Sequence, residues 1–98
     1  MNEIQDTTAI ILAGGKSSRM GTDKGLMLVD NKPMIVHIID TVSSLTPNVL
    51  IVANHPDYKK LGYPTVADQI TEKGPLGGIV TGLSRSKTDR NWILSCDT

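Results

Sequence analysis

Ninety-eight residues suffice for one small domain and exclude a second. Hydrophobic residues make up 39%, with no Phe, one Trp and two Tyr, so Ile, Leu, Val and Met must build the core. Ten acidic residues cancel ten basic ones, which excludes a general polyanion binder, and the single Cys96 excludes an internal disulfide. No apolar run approaches the roughly 18 residues of a membrane span, and no leader pattern opens the chain. The expectation is a soluble protein of a reducing cytoplasm.

After a polar start, Thr8 to Leu12 is a continuous apolar run, as in a parallel strand covered on both faces. It breaks at Ala13-Gly14-Gly15 into a loop that carries Lys16, Arg19 and Lys24. Glycines let backbone N–H groups face a ligand closely, and three cations in nine residues supply counter-charge for phosphates. Leu26 to Val29 reads as a short extended piece ending in the turn Asp30-Asn31. Pro33 fits the first position of a helix, and Ile35, Ile38, Ile39, Val42 and Leu45 follow at helical spacing.

A second buried strand spans Val49 to Ala53 and is broken by Asn54-His55-Pro56. Asp57 to Leu61 is a single helical turn, and Pro64 to Ala67 a third strand ending at Asp68. Gly74-Pro75 turns the chain into a further helix with Leu76, Ile79, Val80 and Leu83 on its apolar face. Gly77, Gly78 and Gly82 interrupt that helix and imply a close backbone approach. Trp92 to Cys96 is a fourth strand, followed by Asp97 and Thr98.

This alternation predicts a Rossmann-like α/β fold, a three-layer parallel sheet with right-handed crossovers. The expected strand order is 3-2-1-4, with strands one and four flanking the switch point where ligands bind beyond the strands' carboxyl ends. Gly14-Gly15 and Asp97 would then face each other across that crevice. Strand four is left as an apolar open edge, so residues 1–98 are expected to be the first half of a longer domain.

Two common phosphate loops fail on spacing. GxxxxGK[ST] around Gly15-Lys16-Ser17 needs glycine where Ile10 stands, and GxGxxG fails at Lys16 and Arg19. The stretch LAGGKSSRMGTDKGLMLVDNKPMIVH resembles the signature of Rossmann-like nucleotidyltransferases, and in detail that of the molybdenum cofactor guanylyltransferases. The resemblance runs along the whole chain. Leu12-Ala13-Gly14-Gly15, Arg19-Met20-Gly21, Asp23-Lys24, Lys32-Pro33-Met34, Asp68, Gly74 to Gly78 and Cys96-Asp97-Thr98 follow in the expected order. Some relatives carry a further Asn where this chain has Val52, and Asn54 is the residue left to take that contact.

The resemblance implies transfer of GMP from GTP to molybdopterin, with pyrophosphate released, alongside other proteins of molybdenum cofactor biosynthesis. It implies a GTP site of Leu12, Ala13, Gly14, Gly15, Lys24, Asp68 and Asp97, with Asp68 accepting from guanine and Asn54, Gly77 and Gly78 as secondary contacts. It also implies Mg²⁺ on Asp97, and phosphate neutralisation by Lys24, Arg19 and Lys16. Neither nucleic acid nor a membrane has a place in that chemistry.

Each residue also has a plainer reading. Lys16, Arg19 and Lys24 can be solvated loop cations, Asp68 an Asx-turn residue, Asp97 a cap after a strand, and Gly77 and Gly78 mere spacers between helix and sheet. His37, on the polar side of its helix, and His55, in a turn, read as surface residues, and Cys96 as a small core residue. A cytidylyl or sugar-phosphate nucleotidyltransferase, or a nonenzymatic nucleotide-binding fragment, would fit the same loop.

Overall fold

A computed structural model describes residues 6–13, 24–54, 56–67 and 75–95, with only the backbone at 24, 75 and 76. Strands β1 (Thr7–Leu12), β4 (Asn48–Val52), β5 (Thr65–Val66) and β6 (Arg90–Ser95) form one parallel sheet in the order β5-β4-β1-β6. In sequence terms this is the expected 3-2-1-4. The chain steps outward from β1 to β4 and β5, then crosses back to place β6 on the other side of β1. The switch point therefore lies between β1 and β6.

The period-two alternation of β1 and β4 divides the core into two layers. Ala9, Ile11, Val49, Ile51 and Ala53 meet helix α1 (Met34–Ser43) through its buried Ile35, Ile39 and Val42. Ile10, Leu50 and Val52 point to the opposite face, with Leu12 and Val66 packed around them. Buried Thr46 supports the turn between α1 and β4. Its hydroxyl donates to the Thr7 carbonyl at 2.6 Å and accepts from the Asn48 amide at 3.2 Å.

That second face is covered by helix α2 (Pro75–Arg85), but two of the residues that hydropathy selects, Val80 and Leu83, point away from it. Val80 and Leu83 are 45% and 47% exposed, whereas Gly77, Gly78, Thr81 and Gly82 are buried. A Cβ built on Gly82 would lie 2.5 Å from Ile10 Cγ2 and 3.3 Å from Val52 Cγ2. The helix backbone rides directly on the sheet, as the sequence implied for the glycines, and the bulkier residues turn outward. Beyond the helix, Ser86 donates to Thr8 Oγ1 at 3.2 Å, and the Thr8 and Thr88 hydroxyls lie 2.6 Å apart. These bonds place the carboxyl end of α2 at the amino end of β1, so its first turn stands at the opposite edge.

The segment from Lys24 onward forms more structure than expected. A 3₁₀ turn over Lys24–Leu26 leads into β2 (Leu28–Val29), which pairs antiparallel with β3 (Lys32–Pro33). Asp30 (φ 52°) and Asn31 (φ 68°) both sit in the left-handed region, the requirement of a two-residue type I′ hairpin. Pro33 is the cap residue before α1 and a hairpin partner, rather than the first helical residue. Three contacts hold the hairpin on α1. The Met34 amide donates to the Met27 carbonyl at 2.8 Å, His37 Nε2 donates to the Val29 carbonyl at 2.6 Å, and Lys32 pairs with Asp40 at 3.0 Å. His37, half-buried, thus fastens the hairpin, while His55 lies outside the described residues.

Candidate functional site

The registers Leu12↔Val52, Val52↔Val66 and Leu12↔Ser95 set the carboxyl ends of all four parallel strands level. Pairing continues one residue further on two of them, where the Ala13 amide donates to the Val52 carbonyl at 3.0 Å and the Ala53 amide to the Val66 carbonyl at 2.9 Å. Ala13 and Asn54 follow β1 and β4 at this edge, and the first turn of α2 stands at it.

Ala13 is half-buried against the α1-side core, so the loop departs from a fixed point. The Leu12 side chain packs with Ile10, Leu50 and Val52, which leaves its backbone as the part available to a ligand. Exposed Asn54 stands two residues past the end of β4. Gly77 and Gly78 lie within α2 rather than in a loop, buried in its first turns. Lys24 opens the 3₁₀ turn through which the loop rejoins the core. Gly14, Gly15, Lys16, Arg19, Asp68 and Asp97 lie outside the described residues, as does Cys96. In the sequence, Asp68 and Asp97 follow Val66 and Ser95 by two positions.

One contact escaped the sequence. Tyr58 lies in the 3₁₀ helix Pro56–Leu61 that follows β4 and is completely buried. Its ring reaches the loop's return point, where Gly25 Cβ, if present, would fall inside contact distance of the hydroxyl oxygen and 3.2 Å from two ring carbons. A lone tyrosine among Asp57, Lys59 and Lys60 gave no sign of burial.

In the sequence the residues that follow the strand ends include the carboxylates Asp68 and Asp97, and carboxylate oxygens are the donors that Mg²⁺ prefers. Among the described residues no group of three or more His, Cys, Asp or Glu side chains gathers to hold a metal. Among them, too, no helix is long and apolar enough to cross a membrane.

A parallel sheet with helices on both faces, and a glycine loop after its first strand at the switch point, defines a Rossmann-like α/β protein. A family model for the MobA-like NTP transferase domain matches residues 9–98, and the chain belongs to that family. It is 46% identical over 94 residues to a probable molybdenum cofactor guanylyltransferase of Flavobacterium johnsoniae, covering 96% of this chain and 50% of the relative. It is 41% identical over 91 residues to a molybdenum cofactor guanylyltransferase of Syntrophotalea carbinolica, covering 92% and 43% respectively. With the enzyme of that name from Vibrio cholerae it shares 42% over 97 residues, covering 95% and 47%. The chain spans about half the length of the curated relatives it matches.

Proposed function

We propose that residues 1–98 form the GTP-binding amino-terminal half of a nucleotidyltransferase domain that transfers GMP from GTP to molybdopterin, releasing pyrophosphate. The observation that supports this reading is the level row of Leu12, Val52, Val66 and Ser95, after which Gly14-Gly15, Asp68 and Asp97 of the family signature follow in the sequence within a few residues. The named relatives supply the choice of guanine and of the acceptor.

In the proposed reaction a terminal phosphate oxygen of molybdopterin attacks the α-phosphorus of GTP. A new P–O bond forms, the bond to the β-phosphate bridging oxygen breaks, and pyrophosphate carries that electron pair away. A phosphate nucleophile is already ionised at neutral pH, so the chain needs no general base, in keeping with a sequence in which His37 and His55 read as surface residues and Cys96 as a small core residue. Its residues act by binding and alignment. The backbone of Leu12, Ala13, Gly14 and Gly15 holds ribose and phosphate, while Lys24, Lys16 and Arg19 neutralise the phosphates and the leaving pyrophosphate. Asp68 accepts from guanine N1–H and the N2 amino group, a match that adenine cannot offer, and Asn54, Gly77 and Gly78 line the base and ribose. Asp97 holds Mg²⁺, which when bound offsets phosphate charge.

Asp97→Asn is expected to abolish the Mg²⁺ dependence of GTP binding. A titration that keeps the wild-type metal response would remove Asp97 from the metal site. The reaction itself is tested by pyrophosphate release, which should require both GTP and molybdopterin. Release at equal rates without the acceptor, or with CTP in place of GTP, would overturn this reading.

A further inference from the structure

We infer that Tyr58 is a positioning residue for the nucleotide loop, acting through Gly25 to fix where Lys24 leaves the core. The inference rests on the GTP-binding reading of that loop. The loop is anchored at both ends to one apolar layer: Ala13 at its start and Leu26 just after its end pack on the cluster that contains Tyr58, Ile35 and Ile39. Among the described residues between these anchors, Gly25 approaches Tyr58 closely. It is buried, and the phenol end of Tyr58 occupies the space that any other side chain at position 25 would need. Lys24 is its chain neighbour, so a displacement of Gly25 is passed to Lys24 across a single rigid peptide unit.

Tyr58 comes from the other side of the candidate site. Its 3₁₀ helix begins two residues beyond Asn54, so one side chain ties the segment after β4 to the turn at Lys24–Leu26. A buried aromatic ring is well suited to this. It has two side-chain torsions, both restricted by packing, and loses little further freedom when it serves as a stop. The backbone that carries Lys24 is therefore held by a contact in the core rather than by the loop alone, the arrangement that alignment-dependent catalysis requires.

A size-swap cycle tests this. Affinity for Mg²⁺–GTP is measured by calorimetry for wild type, Gly25→Ala, Tyr58→Phe and the double variant, at a temperature where circular dichroism shows all four folded. Gly25→Ala should weaken binding about tenfold, because the new Cβ meets the phenol and pushes the turn away. Tyr58→Phe removes the oxygen that makes the closest approach while keeping the ring, and should cost less than fivefold. Combined, the two changes should recover affinity to within about threefold of wild type, since loss of the hydroxyl oxygen removes the closest clash and leaves the methyl group only the 3.2 Å contacts with the ring carbons to relax. Recovery of binding by a second substitution distant in sequence is not produced by a general loss of stability. Wild-type affinity in Gly25→Ala, or a double variant no tighter than Gly25→Ala, would overturn the positioning role alone. No Mg²⁺–GTP binding by the wild-type chain would overturn the nucleotide reading and this role with it.

Discussion

Replacing Lys24 by alanine is expected to weaken GTP binding on the order of 10- to 100-fold, because a hydrogen bond to a charged group contributes about 1.5–3 kcal/mol. In a full-length version transfer should fall further, by about 10²- to 10³-fold in kcat, the loss usual when one fixed charge-stabilising donor is removed. Three features single out Lys24 from the ten basic residues. It ends the cationic loop, it lies between Asp23 and Gly25 in the family motif, and its backbone opens a 3₁₀ turn held on the core. Lys87→Ala is the matched control. That exposed lysine lies beside Ser86 and Thr88, at the amino end of the sheet, away from the proposed site. Its removal should leave both quantities unchanged. Unchanged kinetics in Lys24→Ala would separate the loop from phosphate chemistry.

Gly82→Val should produce the largest change in stability. A first carbon at this position already comes within 2.5 Å of Ile10 Cγ2, which belongs to a fully buried, β-branched residue in an inner strand. Such a side chain has one favoured χ1 and cannot swing aside, so the helix must lift from the sheet. Overpacking of this kind costs about 1–3 kcal/mol or more, and for a domain of this size each kcal/mol lowers the melting temperature by roughly 4–8 °C. Val80→Ala, on the exposed side of the same helix, should stay within about 0.5 kcal/mol of wild type. A melting curve in which Val80→Ala is the more damaging change would mean that α2 has its faces reversed.

The contrast between Gly82 and Val80 shows where the sequence was misleading. Apolar periodicity assigned Leu76, Ile79, Val80 and Leu83 to the buried face, since burial normally selects large hydrophobic side chains. Val80 and Leu83 are instead exposed, because the distance between helix and sheet is too short for them, and selection acts on size. The small residues Gly77, Gly78, Thr81 and Gly82 recur at helical spacing and carried the correct signal. The hairpin was half legible. Asp30-Asn31 announced a turn, but Lys32–Pro33 did not read as a strand because Pro33 resembles a helix start and lacks an amide. Strand order was legible throughout, because long apolar runs alternating with helices admit few right-handed arrangements.

For the site, sequence supplied the chemistry and the fold supplied the common edge. Leu12, Ala13, Asn54 and the start of α2 reach that edge from separate elements, which no local pattern could reveal. Tyr58 was invisible for a related reason. Its burial depends on Gly25, a partner more than 30 positions away.

The most direct test of the nucleotide reading is a titration of the chain with GTP, CTP and ATP, each with Mg²⁺ and again with the metal chelated. GTP should bind at least tenfold more tightly than CTP or ATP, and chelation should remove most of that affinity. Equal or tighter binding of CTP or ATP, or the absence of nucleotide binding altogether, would contradict it.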